Sequence, residues 1–186
     1  LCCDPGLLYE GYHSPAAKVE LCMELLKNAL EGGHRVLVFS QFTSMLEILV
    51  QRMQQENISC CVLNGSTSKE DRAKLVERFQ KEEVPVFCIS LKAGGTGLNL
   101  TAADMVIHFD PWWNAAVENQ ATDRAHRIGQ KQVVTVYRLI AKNTIEEKIL
   151  KLQEAKKELA QQVLSGDELK SASFTREELL GLLEYV

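Results

Sequence analysis

Val86-Phe87-Cys88-Ile89-Ser90-Leu91-Lys92-Ala93-Gly94-Gly95-Thr96-Gly97 is the stretch on which the fold turns. Its first four residues are apolar without alternation, as in a strand buried on both faces of a parallel sheet. The chain then enters a turn with three glycines in four residues. Such a turn lets the backbone approach a partner closely and offers amide donors to a phosphate. A tight corner without a ligand would read the same way.

Working outward, five β-branched-rich runs stand out: Arg35–Phe39, Ile58–Leu63, Val84–Ile89, Met105–Phe109 and Val133–Ile140. Segments of helical period separate them. Ser14-Pro15 offers a cap and a first-turn proline for a helix carrying Val19, Cys22, Leu26 and Ala29 on one face, with Gly32-Gly33 as its stop. Met45, Leu49 and Met53 mark a second helix, and Thr67-Ser68-Lys69-Glu70 reads as a capping box opening a third, with Val76 and Phe79 inward. Strands alternating with helices predict a doubly wound α/β fold with a mainly parallel sheet. In such sheets functional loops collect at the carboxyl ends of the strands. Here those ends are Ser40-Gln41, Asn64-Gly65-Ser66, Ser90 to Asn99 and Asp110 to Asn114.

After Ile140 the pattern changes. Thr144-Ile145-Glu146-Glu147 is a further capping box, and Ile145, Ile149, Leu152, Leu159 and Val163 mark a long amphipathic helix ending near Ser165-Gly166. Thr175 to Glu178 would cap a short last helix carrying Leu179, Leu180, Leu182 and Leu183. The expected organisation is a tail over 1–13, an α/β lobe over 14–141 and a helical appendage over 142–186.

The chain has 186 residues, of which 46% are apolar, enough for one domain with a sizeable core. No apolar run reaches the roughly 20 residues that span a bilayer. The amino terminus has neither the charge nor the apolar core of a signal peptide and reads as a cut through a longer protein. Six cysteines contain no CxxC pair, which argues against zinc and for buried thiols in a reducing cytosol or nucleus. The net charge of −4 decides little, because a local basic stripe survives inside an acidic domain.

Two further stretches carry chemistry. In Gln120-Ala-Thr-Asp-Arg124-Ala-His-Arg127-Ile-Gly129-Gln130, continued helix would put Gln120, Arg124 and Arg127 on one face, with Gly129 as the stop. Paired guanidinium groups call for an anion, and a triphosphate supplies one. The plainer alternative is a pair of surface arginines bridged to Asp123 and Glu118. In Asp110-Pro-Trp112-Trp113-Asn114, two adjacent tryptophans at a strand end cannot both face the core easily, so one would pack while the other stands exposed, the plainer alternative being that both line the edge of the core.

Taken in order, Val36 to Phe42, Leu63 to Thr67, Lys92 to Leu100, Asp110 to Asn114 and Gln120 to Gln130 resemble motifs IV, IVa, V, the following aromatic element and VI of Swi/Snf-type superfamily-two DNA translocases. The resemblance runs from about Ser14 to Leu159 and is to the carboxyl-terminal, second RecA-like lobe. The amino-terminal cysteines and the last helix resemble bacterial members, which implies a nucleoid-associated cytoplasmic protein, or a nuclear one if eukaryotic. Where the family often has proline and aspartates, Ala115, Asn64 and Asn119 stand here.

The resemblance implies roles by position. Arg124 and Arg127 correspond to the arginines that reach the ATP phosphates, with Gln120, Gly95 and Gly97 at the nucleotide interface. Ser40, Gln41, Ser66, Arg72, Lys92 and Thr96 correspond to positions near DNA phosphates, and Trp113 to a groove contact. The helix from Thr144 corresponds to a brace across the ATPase lobes. ATP and Mg2+ would be held mainly by the first lobe, since no GxxxxGK[ST] occurs in the chain. The implied partners are double-stranded DNA and that amino-terminal lobe, with no membrane and no sign of a homo-oligomer. On this reading the chain is part of a DNA-dependent ATPase and inactive alone. The alternative is a non-catalytic DNA- or protein-binding module derived from the fold. A self-sufficient dinucleotide site is disfavoured, because Ser40-Gln41-Phe42-Thr43 stands where GxGxxG would open the first βα turn.

Overall fold

The computed structural model describes residues 3–4, 16–93, 98–126, 130 and 132–165. Five strands form one parallel sheet: β1 Val36–Ser40, β2 Cys60–Leu63, β3 Val86–Ser90, β4 Met105–His108 and β5 Thr135–Arg138, in the order β2-β3-β1-β4-β5. Five helices accompany them: α1 Ala17–Glu31, α2 Thr43–Gln55, α3 Lys69–Gln80, α4 Ala115–Thr122 and α5 Ile145–Ser165. The doubly wound α/β architecture with a parallel sheet expected from the alternation is therefore present, and each predicted strand run overlaps an observed strand.

Burial follows the pattern that made the strands legible. Every residue of β1, β3 and β4 is buried, because helices cover both faces of the sheet. One face packs Val36, Val38, Cys88 and Ile107 against Val19, Cys22 and Leu26 of α1 and Met45, Leu49 and Met53 of α2. The other packs Leu37, Phe39, Phe87 and Val106 against Phe79 of α3 and Ala121 of α4. Burial pushes the Cys22 thiol up to about 12, so it stays protonated in this core. β5 is the exception: all four of its residues are exposed, and it closes one edge of the sheet beside Val133.

Three features of the helices differ from expectation, two of them helix starts. α1 starts at Ala17 with Ala16 as its cap residue, while Ser14-Pro15 lie outside the described residues. It ends as expected: Gly33 adopts φ +76 and the His34 amide reaches back to the Ala29 carbonyl at 2.9 Å, a closure that glycine makes without strain. α3 is capped by Ser68, not Thr67; the Ser68 hydroxyl accepts from the Asp71 amide at 3.1 Å. Thr67 serves the preceding turn instead, where its Oγ1 accepts from the Asn64 amide at 3.1 Å.

The third difference is the inward face of α5. Ile149 is buried as expected, but Ile145 and Leu152 are half-buried, and the other buried positions are Glu146 and Gln153. The side chains of Leu159 and Val163, and the predicted last helix from Thr175, lie outside the described residues. Glu146 is placed inward by a cation: Lys18 of α1, 8% exposed, reaches its two carboxylate oxygens at 2.7 and 2.6 Å. Glu146 Oε2 also accepts from the Ala141 amide at 2.7 Å, and the ammonium lies 5.2 Å from the centre of the Phe109 ring.

This pair tests cleanly. Glu146→Gln leaves an uncompensated buried ammonium and should cost about 3–5 kcal/mol in urea denaturation. Lys18→Met in the same chain should recover more than half of that loss. A double variant no more stable than Glu146→Gln alone would show that the single loss is packing and not unpaired charge.

Candidate functional site

The direction of the crossovers defines where a site can form. The connection after β1 leaves toward β2, whereas the one after β4 leaves toward β5, so a crevice opens between the carboxyl ends of two adjacent strands. Asp110 fills it. The Ser40 hydroxyl donates to Asp110 Oδ2, the Gln41 amide donates to Oδ1 at 2.9 Å, and Gln41 Nε2 reaches the Pro111 carbonyl at 3.2 Å. One carboxylate thus joins the two loops. Ser40 is fully buried and its hydroxyl accepts from the Phe42 amide at 3.1 Å, so it braces the loop and does not face solvent.

The next loop sorts its tryptophans. Trp112 is half-buried against the core and Trp113 is 51% exposed. Asn114 caps α4 by accepting from the Ala116 amide at 3.0 Å, and Ala115 takes the first helical position, where proline would also fit. Glu118, fully buried in α4, accepts from the Trp112 amide at 2.6 Å and pairs with Arg138 of β5 at 3.3 Å. Gln153 of α5 donates to the Trp112 carbonyl and lies 3.3 Å from Glu118 Oε1.

The arginine stretch departs from expectation. α4 ends at Thr122, before Arg124, and the chain tightens: the Ala125 amide bonds the Thr122 carbonyl at 3.0 Å. The Arg124 carbonyl turns away to accept from the Leu100 amide at 3.0 Å, which anchors this turn to the segment following the glycines. Gln120 is exposed and Arg124 is 4% exposed, so the two do not share a face. The Arg124 guanidinium carbon lies 5.7 Å from the centre of the Phe39 ring, which stacks on His108 at 5.5 Å. Glu118 pairs with Arg138 and Arg124 is buried, so the picture of a surface pair bridged to Glu118 does not hold for Arg124. Arg127, Gly95, Gly97, Thr96 and Gly129 lie outside the described residues.

The remaining positions lie at the same edge of the sheet or lead to it. The Leu91 amide bonds the Ser40 carbonyl at 2.9 Å, seating Lys92, which is exposed, beside the β1 loop. Arg72 of α3 donates to the Ala93 carbonyl at 2.7 Å, so it supports the turn that carries Lys92. Ser66 is exposed in the turn after β2, where its hydroxyl donates to Asn64 Oδ1 at 2.7 Å.

Sequence reasoning gave Asp110 no bridging role, offered Glu118 only as a partner for surface arginines, and passed over Gln153 and His108, yet all four hold the site. Asp110 stood inside a quoted stretch, and an acid between a β-branched run and a proline was its signal. Nothing local marks Gln153 and His108, whose partners are Trp112, Glu118 and Thr122. Gln130 is a similar staple, with Nε2 donating to the Thr101 and Ala103 carbonyls at 3.1 and 2.7 Å.

Residues 17–129 match the family described as helicase conserved C-terminal domain. The chain is similar to an ATP-dependent helicase of Mycoplasma pneumoniae, 46% identical over 176 residues that make up 94% of this chain and 17% of that protein. It is 49% identical over 144 residues to the chromatin-remodeling ATPase INO80 of Aspergillus oryzae, covering 77% of this chain and 10% of that one. It thus spans under a fifth of the length of either relative. Among solved structures, the C-terminal part of the Fun30 ATPase domain superposes with a TM-score of 0.72 at 38% identity, over 76% of this chain and 48% of that chain.

Two buried groups of the site titrate in opposite senses. Burial pushes the Asp110 carboxyl from 3.8 up to about 6, against the hydrogen bonds from Ser40 and Gln41 and the Lys18 charge, with Glu146 adding to the rise. Its folded value is raised, so its contribution to stability is full below about pH 3.8 and lost as the pH rises through about 6. Burial and Arg138 push His108 from 6.5 down to about 4, so its contribution is present above about pH 6.5 and lost as the pH falls through about 4. Each is on the order of 3 kcal/mol, and they offset across the shared window. Asp110→Asn should therefore make stability rise with pH between about 4 and 6.5, relative to the parent chain. A variant profile parallel to the parent would show that Asp110 is solvated.

Proposed function

The chain belongs to the helicase conserved C-terminal domain family, and on that premise we propose that it is the second ATPase lobe of a Swi/Snf-type double-stranded DNA translocase. The observation that carries the reading is the convergence of three loops at one sheet edge. The loops after β1, β3 and β4 are tied together by Asp110 and the Ser40–Leu91 backbone bond, and they present Gln41, Lys92 and the exposed Trp113. A cation, an amide and a flat aromatic on one edge suit a phosphate backbone and its groove. Residues 142–186 would form the brace, with α5 packed onto the lobe through Glu146 and Gln153.

ATP would be held mainly by an amino-terminal lobe with its magnesium, because no P-loop sequence occurs in these 186 residues. Bound there, it supplies the phosphoryl group whose transfer drives the cycle. On this side Arg124 and Arg127 supply the guanidinium forks that match phosphate oxygens, and Gln120, Gly95 and Gly97 complete the nucleotide-facing surface. Arg124 suits that task by chemistry and needs a movement to perform it. It must leave its place against Phe39 to reach a phosphate on another lobe, so lobe closure and finger extension would occur together. Ser40 and Arg72 act behind the DNA-facing surface, shaping the loops, while Gln41, Ser66, Lys92 and Thr96 would meet phosphates.

The 186-residue chain alone should hydrolyse no ATP, with or without DNA. Robust DNA-stimulated turnover from the purified chain would refute the division of labour between lobes.

In the complete protein, Arg124→Ala or Arg127→Ala should lower kcat by on the order of 10³-fold, with far less effect on DNA affinity. Turnover within tenfold of the parent in both would refute the assignment of these arginines as fingers.

A further inference from the structure

We propose that Gln153 of α5 is a positioning residue that fixes the Trp112–Trp113 loop in its DNA-engaging form, an inference that rests on Trp113 being a DNA contact. Both backbone polar groups of Trp112 are taken by side chains from two helices. Its amide donates to Glu118 of α4 at 2.6 Å, and its carbonyl accepts from Gln153, 41 residues away. Gln153 Nε2 also faces the acceptor Glu118 Oε1 at 3.3 Å, so one nitrogen closes the triangle. With the peptide units on both sides of Trp112 held, the exposed Trp113 that follows has little backbone freedom.

The residue type at 153 argues for this role over packing. Gln153 is 7% exposed, and an amide at that depth costs stability unless its hydrogen bonds are made. A leucine would pack the same face of α5 at no such cost. The other end of that face is fixed as firmly, since Glu146 is held by Lys18 of α1. α5 is therefore a rod with two polar anchors, one on α1 and one on the tryptophan loop. Moving it would strip donors from Trp112 and Glu118 together and release Trp113.

The test uses the complete protein and the DNA dependence of its ATPase. Gln153→Leu should raise the DNA concentration for half-maximal stimulation about five- to tenfold, the scale of one lost buried hydrogen bond. The kcat at saturating DNA should stay within about twofold, with the melting temperature of the lobe retained. Gln153→Lys, whose ammonium can serve both acceptors, should restore the parent value to within about twofold. In a Trp113→Ala background, Gln153→Leu should add less than about twofold.

If Trp113→Ala does not move the DNA dependence, Trp113 is not a DNA contact and the inference falls with it. If Trp113→Ala weakens stimulation but Gln153→Leu does not, the DNA contact stands and the positioning role is refuted. Equal losses in the Leu and Lys variants, or multiplying losses in the double variant, would refute it too. Should Gln153→Leu fold poorly, Gln153→Met, which keeps an unbranched side chain of similar length but has no donor, takes its place with the same expected loss, and a parent-like response in it refutes the positioning role.

Discussion

A carboxylate in a crevice between diverging strands is the constraint on which this site depends. β1 and β4 are neighbours whose exits part, and a gap between diverging loops is costly to leave unfilled. Asp110 fills it with acceptors, taking a hydroxyl from one loop and an amide from the same loop while its own backbone leads into the other. The result is one rigid edge in place of two mobile ends. Everything presented there, from Gln41 to Trp113, inherits its position from that bridge. Burial raises the carboxyl's titration and lowers that of His108, so the pH dependences of the two groups oppose each other across the acidic range.

What was legible from the sequence, and what was not, divides along the range of the interactions. Strands buried on both faces announce themselves as unbroken apolar runs, so β1, β3 and β4 could be read within a residue or two. Period placed Val19, Cys22 and Leu26 of α1 and Met45, Leu49 and Met53 of α2 in the core, where they lie. The arginine stretch misled because helical phase was carried past Thr122. Propensity favoured continuation, but the Arg124 carbonyl finds the Leu100 amide, a partner that no local pattern discloses. The inward face of α5 misled in the opposite way. Glu146 and Gln153 look like solvated polar positions until Lys18 and Trp112 are seen opposite them.

These departures share a physical cause. At each, a polar group of the lobe is satisfied by a partner from a remote element, and that demand overrides the preference of the local segment. The same demand ties α5 to the lobe through charge and hydrogen bonds and not only through apolar area. Such an interface holds one register well, because sliding α5 by a turn would leave Lys18 without its acceptor and the Trp112 carbonyl without its donor. An apolar interface tolerates sliding far better. The arrangement therefore favours a defined geometry between helix and sheet over raw stability.

The strand β5 has a consequence of a different kind. Among the described residues no strand pairs with its outer side, its four residues are exposed, and Val133 beside it is 88% exposed. An open edge of this sort is a template on which another strand can add through main-chain hydrogen bonds. Arg138 offers a partial guard, since an arginine on an edge discourages stacking, but its charge is engaged by Glu118. Handled as a separate fragment at high concentration, the lobe would lose material through strand-to-strand self-association at β5, whatever the state of its tryptophan loop.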